Sequence, residues 1–449
     1  EVMKYLSSDS LSVKNESIPL IAGLNWINYS KETRSCYLSN IFETVRLRFM
    51  TVQDIAQLIH PIFTKDGPFS ELIKSSQGCN CLLNLMDAYR WHALPLNDPE
   101  KQLHDGHVDI PRNYARKTAI RDRLFVLGGD DGYDDHAPFH TVAVFDEILK
   151  EWVICPSFTQ PRSVPGCVAV DDHICIIGGY DGSRASSLVD VFNISTSTWI
   201  PGLQLKQRRC SCVCVVYHDN VYCIGGVCGP QALNSVERIS THELIGGVNG
   251  EVIVTNGWIE CSSLQENRSA CGAAVINQDN EDFILVCGGI TTGGDTVSTT
   301  EKYSESLQSW VAVTPMLCPR RSFGMCVFQG KAYVIGGNDG THDLNTVEVY
   351  DPLTNTWVYK SPMIYQRMFC SAAVVGDRII VIGGVNSGTT LDCGECYDPV
   401  NDEWTLLDPL LPTPMCGCGV VCAENIPYSF ILKLESVIEE HQDSSEEKV

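Results

Sequence analysis

Short apolar runs that end in a pair of glycines recur along the last three-quarters of the chain. The runs at residues 175–177 and 333–335 are typical, and each has the length of a β-strand rather than a helix. Six such pairs lie 47 to 63 residues apart, and a tryptophan follows each of them. This period predicts a β-propeller with one blade per repeat. The pairs begin at Gly128, Gly178, Gly225, Gly288, Gly336 and Gly383, and the tryptophans are Trp152, Trp199, Trp258, Trp310, Trp357 and Trp404.

Each repeat predicts four strands, named a to d, with the glycine pair ending strand b and the tryptophan starting strand d. The fifth repeat predicts strands at 323–328, 331–335, 346–350 and 357–359. In five repeats an aromatic on strand c lies seven residues before the tryptophan. In the third repeat Ile239 takes this place, and it lies 19 residues before Trp258. A 12-residue insertion between strands c and d is therefore expected there. The first repeat lacks a strand a, and residues 415–423 are expected to supply it and close the ring.

Residues 1–94 follow a helical pattern instead. Leu20, Leu24 and Ile27 recur at helical spacing, and Thr51 begins a capping-box sequence before another apolar stripe. We therefore expect an all-α domain at 1–94, a linker at 95–113 and the propeller at 114–423. The tail at 424–449 is acidic and expected to be disordered at its end.

Charge and cysteine content narrow the class of protein further. The net charge of −23 argues against nucleic acid and membrane surfaces as partners, because both attract basic proteins. Most of the 22 cysteines fall within predicted strands, which favours reduced, buried thiols and a cytoplasmic location. The chain begins with Glu1 rather than methionine, so we expect it to lack an upstream segment.

The glycine pair, the strand-c aromatic and the tryptophan together resemble kelch repeats. Residues 11–16, Trp26, Ile27, Arg34 and the pair at 45–46 resemble a BACK domain. This order is typical of the BTB–BACK–kelch family, although no BTB domain is present. The resemblance implies a BTB domain that docks on cullin-3 and a propeller that captures a protein for ubiquitylation. The expected function is therefore that of a substrate-recognition adaptor of a cullin-3 RING E3 ubiquitin ligase. The alternative is an actin-binding cytoskeletal scaffold.

Arginines precede strand a in five repeats, four of them 16 residues before the first glycine of the pair. Loops d–a and b–c emerge on one face, so these arginines are expected to form a cationic rim for a peptide, with an acidic peptide as one candidate. The other interpretation pairs each arginine with an acid or an aromatic ring. The acids on strand c, Asp190, Glu237, Glu301, Glu348 and Glu395, are expected to be buried and hydrogen-bonded. The candidate rim residues are Arg162, Ser163, Tyr180, Arg209, Arg268, Ser269, Arg320 and Arg367.

Catalytic motifs do not emerge from the sequence. There is no phosphate-binding P-loop, no HExxH and no G-x-S-x-G. Cys393 and Cys396 form a lone C-x-x-C, and the aspartates and histidines at 130–140 lack the spacing of a ligand set. We therefore expect neither an enzyme nor a metal or cofactor site.

Overall fold

A computed structural model describes residues 17–29, 34, 37, 41, 120–132, 137–146, 151–246, 256–278, 281–427, 430 and 434. The chain divides into two compact units, Asp122–Glu424 and a second unit that combines Glu1–Arg121 with Asn425–Val449. The helices expected at 42–94, the linker expected at 95–113 and the acidic end of the tail lie outside the described residues.

In the unit that contains the N-terminus, helix α1 spans Ser17–Tyr29. Leu20, Leu24 and Ile27 are buried on one face, as their spacing of three and four residues predicts. Arg34 lies over the ring of Trp26 with 4.6 Å between the guanidinium carbon and the ring centroid, and it donates a hydrogen bond to the Trp26 carbonyl at 3.0 Å.

The other unit is built almost wholly from β-strands. The strands of its first half are β1 (Ile120–Leu127), β2 (Val142–Asp146), β3 (Glu151–Cys155), β4 (Gly166–Val170), β5 (His173–Ile177), β6 (Val189–Asn193), β7 (Thr198–Pro201), β8 (Val213–Tyr217), β9 (Asn220–Ile224), β10 (Val227–Cys228), β11 (Gln231–Ala232), β12 (Val236–Ser240) and β13 (Ile259–Cys261). The remaining strands are β14 (Gly272–Gln278), β15 (Glu281–Cys287), β16 (Thr300–Ser304), β17 (Ser309–Val313), β18 (Gly324–Phe328), β19 (Lys331–Ile335), β20 (Val347–Asp351), β21 (Thr356–Lys360), β22 (Ser371–Val375), β23 (Arg378–Ile382), β24 (Val385–Asn386), β25 (Thr389–Thr390), β26 (Gly394–Asp398), β27 (Glu403–Leu406) and β28 (Gly419–Pro427).

Within the described residues, 24 of these strands form six four-stranded sheets, and the predicted six-bladed propeller is confirmed. The other four strands form two short hairpins, β10-β11 and β24-β25. Blade 1 has the order β28-β1-β2-β3, so the C-terminal strand supplies its strand a. Blades 2 to 6 are β4-β5-β6-β7, β8-β9-β12-β13, β14-β15-β16-β17, β18-β19-β20-β21 and β22-β23-β26-β27. A short helix, α2 (Thr241–Gly246), lies between strands c and d of blade 3, where the sequence predicts an insertion.

A closed circle of backbone hydrogen bonds joins the turns that precede the six a strands. Each turn residue donates its N–H to the carbonyl of its counterpart in the neighbouring blade, at 2.7 to 2.9 Å. All six have a positive φ, between 45° and 59°, and five of them are not glycine, which costs backbone energy. The bond from Val164 to Gly417 completes the circle between blades 2 and 1. The six residues are Val164, Ser211, Ala270, Ser322, Phe369 and Gly417.

The tryptophans tie neighbouring blades together at the start of each strand d. Trp357 packs on Tyr350 of strand c, with ring centroids 5.1 Å apart, and its indole N–H donates to the carbonyl of Thr314 in the preceding d–a loop at 2.9 Å. The other five indoles bond the corresponding loop in the same way. Each tryptophan therefore fills a wedge between blades and also satisfies a carbonyl there.

The first glycine of each pair is required by the neighbouring blade. Gly336 has a φ of +67°, and a Cβ on it would lie 2.7 Å from the backbone carbonyl of Arg367 in the next blade. Gly376, at the a–b turn of blade 6, has a φ of +59° and nothing within 4 Å of the same position. The two glycines therefore share a backbone conformation and differ in how close the neighbouring backbone lies.

We expect Gly336→Ala to destabilise the propeller more than Gly376→Ala. Both changes cost about 1–2 kcal/mol of strain at positive φ, and only the first adds about 1–3 kcal/mol of overpacking against backbone. Denaturant unfolding of the two variants measures the difference. Equal free energies of unfolding would show that the close approach of the blades does not restrict this position.

Candidate partner-binding face

The d–a and b–c loops meet on one face of the propeller, as strand direction predicts. The residue after each arginine and the residue after each glycine pair form an isolated β-bridge. Ser163 pairs with Tyr180, Ser269 with Ile290 and Met368 with Val385. The candidate rim residues are thus brought to one face.

The arginine side chains do not reach the surface of this face. Each of the five is 0% exposed. Arg320 donates from Nη1 to the carbonyls of Gly336 at 2.9 Å and Thr346 at 3.1 Å, and from Nη2 to the Glu348 carboxylate at 2.5 Å. The guanidinium therefore lies inside its own blade, between the glycine pair and strand c.

The same arrangement recurs in all five blades that carry the arginine. In each, Nη1 bonds the carbonyl of the first glycine and a carbonyl just before strand c, and the guanidinium pairs with the strand-c acid. In blade 4 the arginine stands 20 residues before the glycine because the hairpin of β14 and β15 is longer. The pairs are Arg162–Asp190, Arg209–Glu237, Arg268–Glu301, Arg320–Glu348 and Arg367–Glu395.

Each strand-c acid also holds the d–a loop. Glu348 accepts the N–H groups of Leu317 and Cys318 at 2.7 and 3.1 Å, and Glu395 accepts those of Ile364 and Tyr365 at the same distances. The sequence predicts that these acids are buried and hydrogen-bonded, and the structure agrees with that prediction. One carboxylate thus joins the arginine, strand c and the loop.

The arginine backbone reaches the other way, to the preceding blade. The carbonyl of Arg320 accepts the N–H of Gly289 at 2.8 Å, and the carbonyl of Arg367 accepts that of Gly337 at 2.7 Å. Because the side chain bonds its own blade and the backbone bonds the one before, each arginine position links two blades.

Blade 1 lacks both charges at once. The backbone position of the arginine is taken by Met415, whose carbonyl accepts the N–H of Gly384 at 2.9 Å. Ala143, opposite Val126, takes the place of the strand-c acid. The arginine and the acid are therefore replaced together by an apolar pair, so neither charge of the pair is buried here without the other.

Burial and neighbouring groups change the pKa of two of these arginines. Burial lowers the pKa of Arg162 to about 10. For Arg209 burial also lowers the pKa, but Cys223, Cys212 and Glu237 outweigh it, so its pKa is raised above the usual value. Both side chains stay protonated at neutral pH.

The expected cationic rim is corrected by this geometry. Each guanidinium group forms its hydrogen bonds and its ion pair within its own blade, and none presents an exposed charge to a partner. The five are those of Arg162, Arg209, Arg268, Arg320 and Arg367. Ser163 and Ser269 are buried as well, at 3% and 6% exposure, and Tyr180 is half-buried. The physical reason is that the d–a loop turns inward at the arginine, because its backbone must reach the preceding blade.

The exposed side chains of this face lie one loop segment earlier and were missed by sequence reasoning. Leu317 is 53% exposed, and Ile364 and Tyr365 are 50% and 39% exposed. Their backbone N–H groups donate hydrogen bonds to Glu348 and Glu395, whereas their side chains remain exposed. The signal that could have found them is an apolar residue three positions before the arginine, outside any strand.

The lone C-x-x-C is explained by the same network. Cys393 is buried, and its sulfur accepts a hydrogen bond from Arg367 Nη2 at 3.2 Å. Thr346 and Ser235 supply a hydroxyl to the arginine at the corresponding place in their blades. Cys393 therefore acts as a hydrogen-bond acceptor inside blade 6.

Two protein-family models match segments of this chain. The model of the Kelch motif matches residues 111–159, 161–202, 208–243, 319–364 and 366–411, and the BACK model, described as BTB And C-terminal Kelch, matches residues 1–60. Kelch repeats and a BACK domain are thus found in the chain. Blade 4 lies between matched segments, and its Arg268–Glu301 pair gives it the same internal structure. A BTB domain is not detected in the chain.

Kelch-like proteins are among its relatives. Kelch-like protein 3 of Homo sapiens and of Mus musculus are each 29% identical over 185 residues, which are 41% of this chain and 28% of the relative. Kelch-like protein 5 of Homo sapiens is 26% identical over 174 residues, 39% of this chain and 20% of the relative. The alignments thus span less than a third of these relatives.

A solved structure has a similar fold. The chain described as "Structure of YjhT" aligns with a TM-score of 0.50 at 12% identity, over 63% of this chain and 96% of that one. Within the described residues, no helix is long and apolar enough to cross a membrane.

We expect the buried pair of blade 5 to show strong energetic coupling. Arg320→Met or Glu348→Ala alone leaves a buried charge unpaired and should cost about 3–5 kcal/mol. The double variant restores the combination found in blade 1 and should cost clearly less than the sum of the two. A double-mutant cycle measured by denaturant unfolding tests this.

The matched control is the exposed pair Lys331–Asp351 of the same blade, whose side chains are 47% and 23% exposed. Lys331→Met and Asp351→Ala should each cost less than about 1 kcal/mol. Additive losses at Arg320 and Glu348 would contradict a coupled buried pair.

Proposed function

We propose that this protein is a substrate-recognition adaptor of a cullin-3 RING E3 ubiquitin ligase, whose propeller captures a target protein. The observation that supports it is the combination of a BACK domain and a six-bladed kelch propeller in one chain. The Kelch-like relatives support the same family. We further propose a cytoplasmic location, because the blades contain many free cysteines and such thiols stay reduced in the cytosol.

An adaptor needs a rigid binding face and no chemistry of its own. It raises the effective concentration of a bound target beside the ubiquitin-transferring partner. The tight ties between blades provide such rigidity. Kelch and BACK families are generally non-enzymatic scaffolds, and the proposed adaptor would act in the same way.

The b–c and d–a face is the proposed target-binding surface. An acidic target was expected because exposed arginines were expected, and their burial removes that support. The exposed apolar side chains of Leu317, Ile364 and Tyr365 favour instead a target segment that buries apolar groups against the d–a loops.

We expect the double variant Leu317→Asp/Ile364→Asp to weaken target binding more than tenfold, because losing two central apolar contacts costs on the order of 2 kcal/mol or more. The matched control is Leu353→Asp/Val400→Asp, which alters exposed apolar residues in c–d turns on the opposite face. Quantitative affinity isolation from cells compares the two variants with the parent protein. Equal loss of targets in both, or loss only in the control, would remove this face from the proposal.

Cullin-3 should accompany the native protein isolated from its cells, and depletion of cullin-3 should lengthen the lifetime of the captured target. Both readouts follow from an adaptor and neither follows from a filament scaffold. Isolation of actin without cullin-3 would favour the alternative, an actin-binding scaffold, and would overturn the ligase proposal.

A further inference from the structure

Three thiols meet inside blade 3. The Sγ atoms of Cys212, Cys214 and Cys223 all lie within 4.8 Å of one another, and the three residues are 7%, 8% and 0% exposed. Within the part of the chain that the structure describes, no other three side chains of the metal-binding types come together in this way.

The fold brings the three together through two adjacent strands. Cys214 on β8 lies directly opposite Cys223 on β9 in the antiparallel pair. Cys212 stands two residues before Cys214 and so presents its side chain to the same side of the sheet. Backbone pairing therefore fixes two thiols of the triangle, and the third belongs to the residue directly before β8.

Blade 2 leaves room for this triangle. A Cβ on Gly166 of β4 would lie 2.4 Å from Cys214 Sγ and 3.5 Å from Cys212 Sγ. Because residue 166 is glycine, the sulfur atoms keep the space between the two innermost strands. Apolar side chains that include Val168, Val221 and Leu205 pack in the same cluster.

The ligand set decides which ion fits. Thiolates select soft cations, and structural zinc sites are closed by four ligands, whereas three sulfurs meet here. A metal–sulfur bond of about 2.3 Å in a trigonal plane places the sulfurs about 4 Å apart, which agrees with the observed spacing within 4.8 Å. Calcium and magnesium require oxygen ligands and are excluded by the chemistry of the triangle.

Arg209 supplies a positive charge beside the triangle. Its charge acts on both Cys212 and Cys223, and its guanidinium is fixed by Glu237 and the Gly225 carbonyl. A nearby cation offsets part of the cost of holding thiolates away from water.

We propose that Cys212, Cys214 and Cys223 form a binding site for a soft monovalent cation, with Cu(I) as its ion. Binding replaces the thiol protons with one metal–sulfur bond per cysteine, and the released protons pass to solvent; no electron is transferred. The ion would join strands a and b of blade 3 beside the turn that carries Arg209.

The test uses the full chain, reduced and kept free of oxygen, loaded with Cu(I) and dialysed against a competing Cu(I) chelator. We expect one Cu(I) per chain to resist the chelator, with three sulfurs at about 2.3 Å in X-ray absorption. This ion should also raise the melting temperature by a few degrees, since it binds the folded state. Zn(II) should not be retained against EDTA.

The variant Cys214→Ala/Cys223→Ala should lose this copper and the rise in melting temperature. The control Cys155→Ala/Cys326→Ala removes two buried thiols, one from β3 and one from β18, and should keep both. Copper retained by the first variant, or lost equally by both, would overturn the proposal. If the first variant does not fold, the absorption spectrum of the parent protein decides, because fewer than three sulfurs around copper would also overturn it.

Discussion

Closure of the ring is the constraint on which the rest of this structure depends. Six turns must lie at one radius so that each N–H meets the carbonyl of its neighbour, and the circle is complete only when the turn before the C-terminal strand joins that of blade 2. Five of these turns hold a non-glycine residue at positive φ, which each blade must stabilise by other contacts. The arginine two residues earlier provides them, because its side chain is fixed to the glycine pair and strand c of its own blade.

A buried charge is a costly way to hold a turn, and the structure shows what offsets the cost. Arg367 makes hydrogen bonds to two carbonyls, a sulfur and the Glu395 carboxylate, and the carboxylate accepts two further N–H groups. The pair therefore contributes position more than net energy, as expected of satisfied buried ion pairs. Met415 and Ala143 in blade 1 support this view, because the same turn forms there without either charge.

Much of this fold could be predicted from the chain alone, because the period of the glycine pairs counts blades and strand alternation assigns each loop to a face. The direction of the arginine side chains could not be predicted in this way. Spacing locates Arg320 along the chain but does not show whether its guanidinium faces a partner or the Glu348 carboxylate. A usable signal was present, since the repeat that lacks the strand-c acid is also the one whose strand a lacks the arginine. The thiol triangle needed the register of Cys214 against Cys223, which composition does not reveal.

These contacts divide the candidate face into an inner structural layer and an outer layer of exposed side chains. The inner layer, with its arginines, glycine pairs and bridged residues, is occupied by contacts between blades and has few atoms left for a partner. The outer parts of the d–a loops have their backbone fixed by the strand-c acids while side chains such as Leu317 and Ile364 point to solvent. A change of side chain there leaves the loop in place, so binding specificity can vary without loss of the ring. The network that buries the arginines thus also creates the surface on which a target would be recognised.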